Sequence, residues 1–453
     1  MIVTLTITQE KIESLRSLLF QGGKEGAAYL FCKKSQTRNE QRLLVYEIMF
    51  VNDEHYLTRS TDRLCIDSLS YTAAAKRAAM FGFHIIFIHS HISGAAKFSD
   101  QDNQEDPKLM DFFQSRIRNK IVGSAIITMD NIVCRAWLNR EWHAMDKIRI
   151  AGERYKIITN NEVLNTTNDS FDRQILVFGH EGQKQLESLH IGIVGAGGTG
   201  SSVAEQITRL GVGEISIWDG DKFEASNINR VYGSKVSDAG RNKAKILGAH
   251  LKRVGLKETR INIHPDFITV INAAKKLREC DVIFCCTDNE ASRGILMRVG
   301  IYYLIPVIDT AVTITSNSGA IVDLIGRTTI LTPGGGSCLF CRERIDPQII
   351  TAETMDKGAR DRLVKEGYIR DLDIKNPSVI TFTTIVAAHA VGELLNQMYN
   401  YKVGKKSTET LFLFNWDEIK KTTIAPKSCI CQLEDRWGKG DSKNGYLDLI
   451  WPA

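Results

Sequence analysis

The sequence predicts an α/β protein in two domains, a mixed α/β domain followed by a doubly wound one. Three observations carry that prediction. Short apolar runs alternate with amphipathic segments along most of the chain, as in sheets covered by helices. One such run, Ile191, Ile193 and Val194, passes straight into a glycine turn. A stretch rich in Asn and Thr at 158–170 separates that unit from what precedes it. The predicted boundaries are 1–155, a linker of 156–170, a second domain of 171–435 and a tail of 436–453.

Composition narrows the function classes. The 453 residues are 43% hydrophobic, ordinary for a globular chain with ample core. A net charge of +5 from 58 basic and 53 acidic residues is too slight to argue for a nucleic-acid partner. The N-terminus has no basic segment leading into an apolar core, and no run of about 18 apolar residues offers a membrane span. The ten cysteines read as buried thiols and metal ligands in a reducing cytoplasm.

In the first domain the pattern predicts a helix at 9–19, strands at 27–32 and 43–51, a helix at 71–81 and a continuous apolar strand at 84–88. Two further strands follow at 121–129 and 132–138. The strand at 84–88 runs into His89-Ser-His91, with Ser99 and Asp102 after it. Histidines at i and i+2 on extended backbone point to one side and can grip one cation. Two imidazoles and a carboxylate, with a fourth position left for water, suit catalytic zinc. The plainer reading is a polar strand edge and an ordinary helical acid.

In the second domain Gly195, Gly197, Gly198 and Gly200 follow the first strand. An amphipathic helix through Val203, Ile207 and Leu210 comes next, and a strand at 215–218 delivers Asp219. Strand, glycine turn, helix, strand and acid make a nucleotide-binding βαβ unit. The glycines let backbone approach phosphate, the helix N-terminus offers amides, and the acid can bind ribose hydroxyls. A glycine turn alone also occurs where nothing binds. The alternation continues with helices at 244–254, 268–277 and 290–302 and strands at 259–264, 281–286 and 305–309. That predicts a largely parallel sheet, with the crevice beside Cys286-Thr-Asp288-Asn289.

Several separated motifs then combine. Arg173-Gln174, the Asp219-to-Arg230 stretch with Asn227, and Gly240-Arg-Asn-Lys243-Ala resemble the ThiF/MoeB and ubiquitin-activating enzyme family over about 171–433. The resemblance implies a Rossmann-like ThiF-type domain that uses ATP and Mg²⁺ to adenylate the C-terminal glycine of a ubiquitin-like or sulfur-carrier protein. It implies that Asp219 holds the ribose, that Asn227, Arg230 and Lys243 face the phosphates, and that Asp288 binds Mg²⁺. Arg173 would reach the ATP of a partner subunit, making a homodimer. The attacking carboxylate is already ionised, so the barrier is mainly alignment and charge repulsion.

Cys338-Leu-Phe-Cys341 is a two-ligand knuckle. The family closes a structural zinc with a second C-x-x-C, whereas here the late pair is the shorter Cys429-Ile-Cys431. Buried thiols are the alternative. Between 342 and 411 the chain has no cysteine. It therefore resembles members that stop at the adenylate and pass it to a conjugating-enzyme-like or sulfur-transfer acceptor.

The complete H-S-H-x7-S-x-x-D pattern resembles the JAB/JAMM zinc isopeptidase motif, on a JAB/MPN-type domain. By that resemblance His89, His91 and Asp102 hold Zn²⁺, Glu25 takes a proton from its water, and Ser99 steadies the oxyanion. Glu47 competes with Glu25, and Ile92 departs from a proline frequent in the family. Together the two resemblances imply a two-headed cytoplasmic enzyme, bacterial in style. It would adenylate a carrier tail and trim or deconjugate the same tail. The alternatives are an activator of a small peptide or tRNA-linked carboxylate with separate proteolysis, and a scaffold that holds tails without turnover.

Overall fold

The computed structural model describes residues 2–92, 94–159, 169–255, 259–367, 377–404, 407–423 and 428–442. Most of the predicted linker and most of the predicted tail lie outside the described residues. The chain forms two compact units, residues 1–165 with 435–443, and residues 166–434 with 444–453. Among the described residues no helix is long and apolar enough to cross a membrane.

The first unit runs β1 (Ile2–Thr8), α1 (Gln9–Leu19), β2 (Ala27–Gln36), β3 (Glu40–Phe50), β4 (Tyr56–Arg59), β5 (Leu64–Ile66), α2 (Ser68–Phe81), β6 (His84–Ser90) and α3 (Asp100–Arg116). It continues with β7 (Val122–Ile127), β8 (Ile132–Leu138), β9 (Glu141–Ala144), β10 (Lys147–Ala151) and β11 (Tyr155–Thr159). Nine strands form one sheet in the order β11-β10-β1-β3-β2-β6-β7-β8-β9, and β4 pairs with β5 alone. Side-chain alternation divides β2 between two cores. Ala28, Leu30 and Cys32 join Ile12, Leu15 and Leu19 of α1 on one face. Ala27, Tyr29 and Phe31 meet Ala74 and Ala78 of α2 and Met110 and Phe113 of α3 on the other. Both faces of β6 are covered and every residue of it is buried, which is why it reads as a continuous apolar run. The periodicity missed β1, β4, β5, β9, β10, β11 and α3. The last is written DQDNQEDPKLMDFFQSR, with Pro107 inside and few apolar residues to mark a face.

The second unit runs α4 (Asp172–Glu187), β12 (His190–Val194), α5 (Gly198–Arg209), β13 (Glu214–Trp218), α6 (Lys243–Val254), β14 (Arg260–His264), α7 (Ile271–Lys276), β15 (Val282–Cys285) and α8 (Glu290–Tyr303). Then come β16 (Val307–Asn317), β17 (Ala320–Leu331), α9 (Pro347–Thr354), α10 (Lys357–Lys365), α11 (Ile380–Tyr399), β18 (Glu409–Leu413) and β19 (Glu418–Thr422). The sheet order is β14-β13-β12-β15-β16-β17-β18-β19. Strands β14 to β16 pair in parallel, and β16 to β19 pair antiparallel. The strands expected from the alternation thus pair in parallel, and an antiparallel extension from β16 to β19 is added to them. The long β16 and β17 turn back on each other at Ser318-Gly319, both at positive φ, a hairpin that the alternating pattern upstream did not foretell. The chain leaves β12 toward β13 on one side and returns to β15 on the other, so the switch point of the sheet lies between β12 and β15.

Candidate active sites

The first site is built on the carboxyl end of β6. His89 and His91 flank Ser90, whose side chain faces the other way. Ser90 Oγ donates to the Leu19 carbonyl at 2.8 Å and accepts from the Gly26 amide at 2.9 Å. That anchor brings Glu25, only 7% exposed, beside the histidines. Its own amide donates to the Ser60 carbonyl at 2.8 Å, and its carbonyl accepts from Arg59 Nε at 2.8 Å. Burial pushes the Glu25 carboxyl up, while the charges of His89 and His91 pull it down. Glu47, on β3, is instead held by Arg77 through two bonds of 2.6 and 2.9 Å. Ser90 escaped the sequence reading because the motif treats it only as a spacer.

Asp102 comes from the first turn of α3. Ser99 is the N-cap: its Oγ accepts from the Asp102 amide at 3.2 Å and donates to the Asp102 carboxylate at 2.7 Å. That hydroxyl proton is therefore committed to Asp102, and it would have to swing away to meet an oxyanion. The His89 and His91 Nε2 atoms lie 3.2 Å apart. They stand 3.1 and 3.5 Å respectively from the two Asp102 oxygens. A tetrahedral ion with bonds of about 2.0–2.2 Å needs ligand atoms about 3.3–3.6 Å apart, so the donor set suits zinc in chemistry, and its spacings of 3.1–3.5 Å lie within or just below that range. Burial would raise the Asp102 carboxyl, but hydrogen bonds from His89, His91 and Ser99 hold it well below the usual carboxylate range.

The second site lies at the switch point. Gly195 has φ of +97°, and a Cβ there would stand 2.6 Å from the Cys286 carbonyl oxygen. A Cβ on Gly200 would stand 1.8 Å from the Gly195 carbonyl oxygen, so the turn tolerates only glycine at both positions. Gly197 is the N-cap of α5 and Gly198 its first residue. A Cβ at Gly198 would touch the Arg230 side chain at 3.4 Å, which places that arginine over the turn. Asp219, at the end of β13, accepts from the Ala196 amide at 2.7 Å and the Asp221 amide at 2.8 Å. Burial raises its carboxyl despite the Ala196 bond and the Lys243 charge. Lys243 Nζ meets Asp221 at 2.8 Å, and Asn242 ties both acids' carbonyls to the start of α6 at 2.8 and 3.2 Å. Asn227 is buried, its Oδ1 accepting from the Glu224 amide at 3.1 Å. Asp288 is exposed just past Thr287, which itself adjoins Gly195. Arg173, on α4, is exposed.

Four thiols converge in the same unit. Cys338 Sγ lies 3.8 Å from Cys341 Sγ and 3.5 Å from Cys429 Sγ, and Cys341 Sγ lies 3.2 Å from Cys431 Sγ. All four are within 4.8 Å of one another, against about 3.8 Å between sulfurs around a zinc with bonds of about 2.3 Å. The short spacing of the late pair is absorbed by backbone. Cys429 is extended, and a single helical turn at Ile430–Gln432 brings Cys431 round.

Residues 171–433 match the model of the ThiF family. The chain belongs to the ThiF family. Among its relatives, adenylyltransferase and sulfurtransferase MOCS3 of Drosophila willistoni is 28% identical over 200 residues, 43% of this chain and 41% of that protein. The Caenorhabditis briggsae protein of the same name is 33% identical over 140 residues, 30% of this chain and 35% of its own length. The chain thus spans about two fifths or less of the length of these curated relatives. They are animal proteins, and they give the expected bacterial style no support. E. coli MccB with ATP aligns at 18% identity and a TM-score of 0.45, covering 60% of this chain and 75% of that one.

Proposed function

We propose that the ThiF-family unit adenylates the C-terminal glycine of a ubiquitin-like or sulfur-carrier protein. The observation that carries this reading is the gathering at one switch point of the glycine turn, Arg230 above it, the Asp219–Lys243 network beside it and Asp288 across it. ATP would lie with its phosphates along the amides of Gly197 and Gly198 at the start of α5 and its ribose at Asp219. Arg230, Asn227 and Lys243 would offset charge as the carrier carboxylate attacks the α-phosphorus and pyrophosphate leaves. Mg²⁺, held by Asp288, would neutralise the departing phosphates. Arg173 would serve the site of a second copy in a cytoplasmic homodimer, and the four cysteines would hold a structural zinc. The names of the MOCS3 relatives point to the same chemistry. The test is exchange of labelled pyrophosphate into ATP with a carrier ending in Gly-Gly. Wild type should exchange only with Mg²⁺, and Asp288→Ala should lose about 10²–10³-fold. Exchange with short peptides but with no such carrier would move the reading to peptide activation.

The first unit supports a second activity on the same tail, hydrolysis of JAB/JAMM type behind the terminal glycine. The carrying observation is the spacing of the His89, His91 and Asp102 donor atoms. Zinc there would lower the pKa of a bound water and polarise the scissile carbonyl. Glu25 would accept the water proton and return it to the leaving amine. Ser99 would fix the Asp102 carboxylate and, once turned, donate to the oxyanion. A shared substrate tail gives the two activities a reason to occupy one chain.

A further inference from the structure

We propose that Arg135 is a positioning residue for the His89, His91 and Asp102 set, fixing where Asp102 presents its carboxylate. The proposal rests on the zinc reading of that set. Asp102 does not lie on the sheet with the histidines. It arrives on the first turn of α3, after an irregular stretch, so the seat of that helix decides where its oxygens fall. Arg135 projects from β8 and makes three bonds to that turn and the next. It donates to Asn103 Oδ1 at 2.5 Å, to the Asp102 carbonyl at 3.3 Å and to the Asp106 carboxylate at 2.8 Å. Its guanidinium is sandwiched between Phe98 and Trp142, 3.6 and 3.9 Å from their ring centres. Ser124 of β7, the cross-strand neighbour of Arg135, adds a 2.5 Å bond to Asp106. Since β7 pairs directly with β6, Ser124 beside Phe87, the helix carrying Asp102 is keyed to the strand carrying His89.

Arg135 and Asp106 are only 7% and 5% exposed. An apolar pair of similar volume would serve stability as well or better. What the charged pair adds is direction, because a planar fork fixes its partners in a way a flexible ammonium does not. Outer partners of this kind typically change metal affinity by about 10–100-fold when removed.

The test uses the full chain and Co²⁺. A site of nitrogen and oxygen donors gives weak visible bands, distinct from the intense sulfur-to-metal charge-transfer bands of a four-thiolate site. Arg135→Met combined with Asp106→Leu removes both charges and leaves neither unpaired. That variant should need about 10–100-fold more free cobalt to fill the nitrogen–oxygen site, with its bands displaced and the thiolate bands unchanged. Arg135→Lys, which keeps the charge and loses the fork, should fall between it and wild type. Unchanged cobalt affinity and band positions would overturn the proposal. If the double variant does not fold, the lysine variant decides by the same criterion. Thiolate bands alone in the wild-type protein would remove the zinc reading, and the positioning role with it.

Discussion

Glu25 and Glu47 show how much a single residue's surroundings decide. Both are glutamates of the β2–β3 region, and in sequence Glu47 competes with Glu25 for the role of base, though it matches the pattern less well. In space they differ. Glu47 is spent on a forked bond with Arg77, whereas Glu25 is buried, carries no such cation and feels the charges of His89, His91 and Asp102. Glu25→Gln preserves shape and burial but cannot take a proton. It should leave metal content near wild type and slow cleavage of a carrier extended past its glycine by about 10²–10⁴-fold, while Glu47→Gln should cleave at close to the wild-type rate. Metal analysis alongside a cleavage assay checks both, and full activity in Glu25→Gln would remove it as the base. The convergence of His89, His91 and Asp102 was legible because His-x-His on a strand obeys a fixed geometry and the spacing to Asp102 completes the JAB/JAMM pattern. Ser90 and Arg135 were not, because a spacer serine and a distant arginine acquire meaning only when the sheet brings them to the site.

At the scale of elements, β15 bears on whether a tail activated as proposed could pass to a thiol of this chain. It sits inside the sheet between β12 and β16, and each of its residues is buried. Burial raises the Cys285 thiol well above its usual value, and the Cys286 thiol is pushed up to about 12, again chiefly by burial. At pH 8 a thiol with a pKa of about 12 is ionised to only about 10⁻⁴, and a thioester there would also disturb the central strand. Incubation with carrier and Mg-ATP should therefore give an acyl-adenylate that denaturation releases. A non-reducing gel should show no band at the summed mass, and a band that disappears with dithiothreitol would refute this. The parallel half of the unit was readable because β12, β13 and β15 are short buried runs, the first two ended by Gly195 and Asp219. The antiparallel half was not. The exposed end of β17 and most of β19 (Glu418–Thr422) follow the chemistry of an edge and a hairpin arm rather than a core strand, so periodicity gives them little weight.

Over the whole molecule the chain does not simply run from one unit into the next. Residues 435–443 belong to the first unit although 166–434 and 444–453 on either side of them belong to the second, a path that composition could not reveal because the segment is short, polar and without periodicity. Its grip falls on the β2–β3 hairpin, mainly toward the turn that joins the two strands. The Tyr46 hydroxyl donates to the Asp435 carbonyl at 3.1 Å, Trp437 is buried, and the Asp441 carboxylate accepts from the Gln36 amide at 2.6 Å. Gly440 turns at φ of +52°, so close to β2 that a Cβ would stand 2.4 Å from the Lys34 carbonyl oxygen. Two substitutions follow from these contacts. Asp441→Ala removes a charge-assisted acceptor and should cost about 1.5–3 kcal/mol locally. Gly440→Ala adds both a strained φ and a clash with backbone, which cannot move aside as a side chain would. In the full-length protein each should speed amide hydrogen exchange at Gln36 and its β2 neighbours by about 10–100-fold, since 1.4 kcal/mol is about tenfold in an opening equilibrium. Exchange over β12 and β15 should stay as in wild type. Unchanged protection at Gln36 in Asp441→Ala would mean that the segment merely rests on the first unit and does not hold it.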